Sequence, residues 1–189
     1  SVLNRVRTRS RSGLRTTGRL ALTSSLTQAA RDTQAIALAN ANRQAVCPDA
    51  STFDPIDLTP YAADHPGISE AYTVRDANGG MIAFLYRSAF RGYAGEVPVL
   101  VAIDLNNTVI RVLPLENDET PGLGKKIADD SFIRQYDNLD ASLIYTVKPN
   151  ETDKVLIDSI AGATISSNAV TRAVNQATAL HPDIAAEVK

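Results

Sequence analysis

Three features of the chain predict an α+β fold, with an antiparallel sheet, helices packed on one of its faces, and a long N-terminal helix ahead of it. Val- and Ile-rich runs bounded by turn residues fill the middle of the sequence. A stretch free of Gly and Pro, rich in Ala, Leu and Gln, precedes them. A segment with 3.6-residue apolar periodicity closes the chain. Strands grouped together, with helices at the ends, favour α+β over an alternating βαβ pattern.

With 189 residues, 44% of them apolar, the chain can bury the core of one ordinary domain with length to spare for an arm. Residues 1–19 hold Arg5, Arg7, Arg9, Arg11, Arg15 and Arg19 and no acid, although the formal net charge is only −2. A basic, compositionally disordered arm therefore precedes an acidic remainder, and the two parts suit different surroundings. Cys47 is the single cysteine and His65 and His181 are the two histidines, which excludes a disulfide framework and argues against Cys- or His-based metal ligation. No run approaches the roughly 18 apolar residues of a membrane span.

Residues 20–44 are predicted to be helical, with a narrow stripe at Leu22, Leu26, Ala29, Ala30, Ile36 and Leu38 that calls for a partner surface. Prolines and aspartates mark 47–66 as an irregular connection. Residues 71–75 and 81–88 are expected to form a hairpin through Asn78 and Gly79. A second hairpin pairs 98–103 with 108–113 through Asn106 and Asn107. Pro121, Gly122 and Gly124 make a loop. Residues 125–136 read as a short helix with Ile127 and Ile133 inward, and 143–147 and 155–157 as strands. The last helix is expected over 166–180, stopping before Pro182, with Val170, Ala173, Val174 and Ala177 on its buried side.

The most informative string is DSIAGATISS at 158–167, a small-residue turn between an apolar run and that last helix. Gly162 and Ala163 leave room for backbone N–H groups to approach a ligand, and a helix N-terminus directs a positive dipole end at the same point, an arrangement suited to phosphate. Thr164, Ser166 and Ser167 add hydroxyls that can cap the helix, bind an anion or be modified covalently. An ordinary βα turn with helix caps accounts for the same residues. A second glycine loop, ETPGLG at 119–124, precedes Lys125 and Lys126; its plain reading is a Pro-Gly turn.

Together with GYAG at 92–95, these strings resemble the RnfG/NqrC family of FMN-binding subunits, found in the Rnf electron-transport complex and in the related sodium-pumping NADH:quinone oxidoreductase. The likeness is to the Rnf member in particular. The motifs occur in the family's order and spacing, and the resemblance runs from about Arg43 to Leu180. It implies an arm and helix at 1–45, where the family has its membrane anchor, and an FMN-binding domain at 46–189. It implies FMN joined through its phosphate to Thr164 as a phosphoester, placed there by a separate flavin transferase. A threonine hydroxyl is a weak nucleophile, and no His or Cys adjoins Thr164 to activate it. Gly162, Ala163, Ser166 and Ser167 would surround the phosphate, and Thr120, Gly122, Leu123 and Gly124 would lie against the isoalloxazine ring. Glu119 either hydrogen-bonds the flavin or caps local structure. Lys125 either balances phosphate charge or is solvated, and Tyr93 either meets the ring or packs in the core.

The chain departs from the family at Ala161, where a hydroxyl residue is usual, and in the Arg-punctuated polar sequence at the anchor position. The expected function is an electron-carrying subunit, not catalytic alone, in a membrane complex coupling ferredoxin and NAD redox chemistry to ion transport. The expected location is the inner membrane with the domain on the periplasmic side. The expected partners are the other subunits and the transferase, with no nucleic acid and no metal. Two rival readings stand beside it: a flavin-free structural subunit, and an adaptor that works through the basic arm on a membrane surface or nucleic acid.

Overall fold

The structure, a computed structural model, describes residues 18–188, with side chains from Ser25 onward. The basic arm therefore lies outside the described residues except for its last two backbone positions. Within helix α1 (Gly18–Val46) the chain separates into two compact units between Asn40 and Ala41. In the first unit, Leu26, Ile36 and Leu38 of the predicted stripe are all more than half exposed. Among the described residues no helix is long and apolar enough to cross a membrane.

The second unit is built on a six-stranded antiparallel sheet in the order β1-β2-β3-β4-β5-β6. Its strands are β1 (Thr52–Pro55), β2 (Ile68–Arg75), β3 (Met81–Arg91), β4 (Glu96–Asp104), β5 (Thr108–Pro114) and β6 (Leu139–Asp140). The predicted α+β class holds, because period-2 alternation sends opposite residues of the central strands to opposite faces. Phe84 and Tyr86 of β3, with Val97, Val99, Val101 and Ile103 of β4, join the main core. Ala83, Leu85, Leu100 and Ala102 join a smaller cluster on the other face, closed by Val46 and Cys47. Helix α3 (Thr164–Glu187) lies on the main-core face, with Val170, Ala173, Val174, Ala177, Leu180 and Ile184 at no more than 1% exposure.

Several boundaries differ from those predicted. The irregular stretch 47–66 contains β1, an edge strand ending at Pro55, where a missing N–H costs no ladder bond. Both hairpins turn on an aspartate as well as on the expected Asn or Gly. Asp76 Oδ1 accepts from the N–H of Asn78 and Gly80, and Asp104 Oδ1 from those of Asn106 and Thr108, all at 2.8–2.9 Å. Left-handed φ occurs at Gly79 and Asn107.

The helix expected over 125–136 is broken into 3-10 turns at Gly124–Ala128 and Arg134–Tyr136 around α2 (Asp130–Ile133). Asp129 is extended there, at ψ 141°, yet Ile127 and Ile133 are buried as expected. The strands expected at 143–147 and 155–157 shrink to β7 (Tyr145–Thr146) and β8 (Val155–Leu156), a separate parallel pair. Helix α3 does not stop before Pro182. It continues to Glu187 because its next turn buries His181 and Ile184, which outweighs the hydrogen bond that proline cannot donate.

Candidate functional site

The DSIAGATISS turn is held at both ends by side chains. Gln135 accepts from the Asp158 N–H at 2.7 Å and donates to its carbonyl at 3.1 Å, so an amide side chain takes the place of a neighbouring strand. Ser167 Oγ accepts from the Ile160 N–H and donates to the Ala163 carbonyl, both at 3.0 Å. Gly162 sits at φ +78°, a conformation that costs an L side chain about 1–2 kcal/mol. Chain reversal there delivers Thr164 as the first residue of α3.

That helix end is open. Its N-cap position, Ala163, has no side-chain hydrogen bond to offer, and the first-turn N–H groups of Thr164, Ile165 and Ser166 have no acceptor within the helix. The three hydroxyls divide sharply. Ser166 and Ser167 are buried, at 1% and 0% exposure, and engaged within the fold. Thr164 is exposed, and its hydroxyl has no hydrogen-bond partner among the described residues.

A cavity of about 500 Å³ opens in front of this helix end, lined by Tyr93, Thr120, Leu123, Gly124 and the segment Gly162, Ala163, Thr164, Ile165 and Ser166. The size falls within the usual range for small-molecule and cofactor sites. Its walls are largely apolar, and Tyr93, Leu123 and Ile165 are 69%, 46% and 56% exposed around it. Tyr93 thus stands at the cavity rather than in the core. Gly122 shapes the loop with φ +80° and is not among the lining residues. Ala161 is exposed and likewise absent from the lining.

Glu119 and Lys125 point elsewhere. Lys125 Nζ pairs with Glu116 at 2.8 Å on the surface. Glu119 is 1% exposed and does not line the cavity. One carboxylate oxygen accepts from the Ala94 N–H at 2.9 Å and the Gly95 N–H at 3.4 Å, and the other accepts from Ser166 Oγ. Burial raises the carboxyl's pKa, but the Ser166 bond and the backbone N–H groups of residues 93–95 outweigh it and hold Glu119 below the usual carboxylate range. These bonds give Glu119 a structural part, tying residues 94 and 95 to the first turn of α3. Spacing gave no signal for the positioning part played by Gln135.

An open helix N-terminus, a hydroxyl beside it with no partner among the described residues and an apolar cleft suit a ligand that has an anionic group at one end and apolar surface at the other. Among the described residues no group of His, Cys, Asp and Glu is placed to hold a metal ion.

Comparison with known proteins agrees with this chemistry. Residues 92–179, a stretch that contains every residue lining the cavity, match the family model of the FMN-binding domain. The similar proteins include the G subunits of ion-translocating oxidoreductase complexes. The chain is 36% identical over 96 residues to the G subunit of the proton-translocating ferredoxin:NAD(+) oxidoreductase complex of Clostridium ljungdahlii, covering 51% of each chain. It is 27% identical over 177 residues to the G subunit of the Na(+)-translocating ferredoxin:NAD(+) oxidoreductase complex of Acetobacterium woodii, covering 87% of this chain and 84% of that one. The match thus spans about half the length of the clostridial relative. The C subunit of the Na(+)-translocating NADH-quinone reductase of Parabacteroides distasonis shares the fold, with TM-score 0.51 and 20% identity over 67% of this chain and 66% of that one.

Proposed function

We propose that this chain is an electron-carrying subunit of a membrane complex that couples ferredoxin and NAD redox chemistry to ion transport, with FMN joined through its phosphate to the Thr164 hydroxyl. The observation that carries the reading is the isolation of Thr164: it is an exposed hydroxyl with no partner among the described residues, at an open helix N-terminus and lining an apolar cavity. In this reading the first-turn N–H groups and the dipole of α3 receive the phosphate. Tyr93, Leu123 and Ile165 provide apolar contact for the ring, and Gly124 lets the loop backbone approach it. Bound flavin supplies the electron-accepting and electron-donating chemistry, and the chain's residues hold it and tune it.

Attachment is assigned to a separate flavin transferase, because among the described residues no general base stands beside Thr164 to activate its hydroxyl. The relatives are named as subunits of ion-translocating oxidoreductase complexes, which supports other such subunits as partners here. The motif resemblance supports an extracytoplasmic position for the domain.

Intact-mass measurement on the full chain, co-expressed with a flavin transferase, is expected to show one FMN adduct. Thr164→Val is expected to lose it while the protein stays folded. An unmodified wild-type mass in that host refutes the reading, and an adduct retained in Thr164→Val refutes the attachment point.

A further inference from the structure

The three strings that mark the cavity meet at one side chain that does not line it. Glu119 receives the Ala94 and Gly95 N–H groups of the GYAG turn and the Ser166 hydroxyl of α3, while its own backbone N–H donates to Asn117 Oδ1 at 3.1 Å. The glycines of both loops are small where this carboxylate passes. A Cβ on Gly92 would stand 2.5 Å from Glu119 Oε1, and one on Gly124 would stand 2.9 Å from Glu119 Cβ and 3.0 Å from Oε2. These separations are closer than side chains tolerate, so the glycines and the carboxylate fit one another as a set.

Resting on the flavin reading above, we propose that Glu119 is a positioning residue of the cofactor site: its buried carboxylate fastens the Tyr93 turn and the Leu123 loop to the first turn of α3, setting the ring walls relative to Thr164 and holding a fixed negative charge behind the cavity.

Two physical consequences follow. Glu119 engages α3 through the Ser166 hydroxyl, so the carboxylate sits at the positive end of the helix while the first-turn N–H groups stay free for a phosphate. A buried negative charge next to two lining residues, Gly124 and Ser166, disfavours addition of electrons to a ring in the cavity.

The test uses the full chain co-expressed with a flavin transferase. Glu119→Gln keeps the shape, an acceptor for the Ala94 N–H and a partner for Ser166, but removes the charge. It is expected to carry the FMN adduct by intact mass and to show a midpoint potential shifted in the positive direction. Asp118→Asn, which removes an exposed neighbouring charge, is expected to leave the potential in place. Ser166→Ala cuts the tie between Glu119 and α3 with a good helix former, and is expected to slow adduct formation about tenfold, the scale of one lost charge-assisted hydrogen bond.

A wild-type potential in adduct-bearing Glu119→Gln overturns the proposal, as does an equal shift in Asp118→Asn or wild-type labelling of Ser166→Ala. An unmodified wild-type chain fails at the earlier step, refuting flavin attachment and the proposal with it. Circular dichroism melting of each variant separates loss of fold from loss of positioning.

Discussion

Thr164, Ser166 and Ser167 carry the same functional group within four residues, and their surroundings give them three different fates. Ser167 closes the turn, Ser166 ties α3 to Glu119, and Thr164 is left facing the cavity. His181 shows the same dependence on environment. It is 3% exposed, shares a 2.8 Å hydrogen bond between Nδ1 and the Tyr86 hydroxyl, and packs edge-on against Phe84. Burial drives its pKa down from 6.5 to about 4, against a small opposing pull from Asp104. The folded state therefore keeps His181 neutral while the unfolded chain binds a proton as pH falls below 6.5. Stability is complete above that pH and declines by about 3 kcal/mol toward pH 4. Urea unfolding followed across this range is expected to show the decline. His181→Phe is expected to remove that slope while lowering stability at neutral pH by about 1–3 kcal/mol, because the buried Tyr86 hydroxyl loses its partner.

At the scale of elements, apolar periodicity was a sound guide and local breaker rules were weaker ones. The buried side of α3 was readable because each turn repeats the same apolar demand. Its end was not, since proline argued for a stop at 182 while His181 and Ile184 argued for one more turn. Pro182 is exposed, so Pro182→Ala gives up little packing and restores a backbone donor to the Thr178 carbonyl. It is expected to stabilise the protein by up to about 3 kcal/mol, read as a higher urea midpoint with unchanged m-value. Residues 125–136 have the opposite history: Ile127 and Ile133 announced the inward side, but the extended backbone at Asp129 lets both reach the core without a continuous helix. The strands expected at 143–147 and 155–157 are present only as the short parallel pair β7–β8, and their pairing apart from the main sheet had no sequence signal. Its support comes from Asn175 of α3, which bonds the N–H and carbonyl of Tyr145 at 2.9 and 2.8 Å.

On the scale of the whole molecule, the sheet has two apolar faces and needs both covered. α3 covers one, and the last residues of α1 help cover the other. Arg43 bonds Glu70 at 3.1 Å and Tyr72 at 2.6 Å, and Val46 and Cys47 are 2% and 4% exposed against the second cluster. Burial also pushes the Cys47 thiol up to about 11, so it behaves as a small apolar side chain. Removal of residues 1–40 is expected to leave the melting temperature of the domain within a few degrees. Extending the deletion through Cys47 is expected to cost about 3 kcal/mol or more, from Val46 burial and exposure of the neighbouring apolar residues. Equal melting of the two truncations would show that this cover contributes nothing.

By itself the sequence determined the α+β class, the strand cores, the buried side of α3 and the three strings that surround the cavity. These are set by local periodicity and by small residues where backbone must turn or approach closely. Only the tertiary structure decided which hydroxyl is free, that Glu119 turns inward to join three distant segments, and that Gln135 and Asn175 stand in for strands. A polar side chain's role depends on the partner it meets, and those partners lie 23 to 47 residues away along the chain.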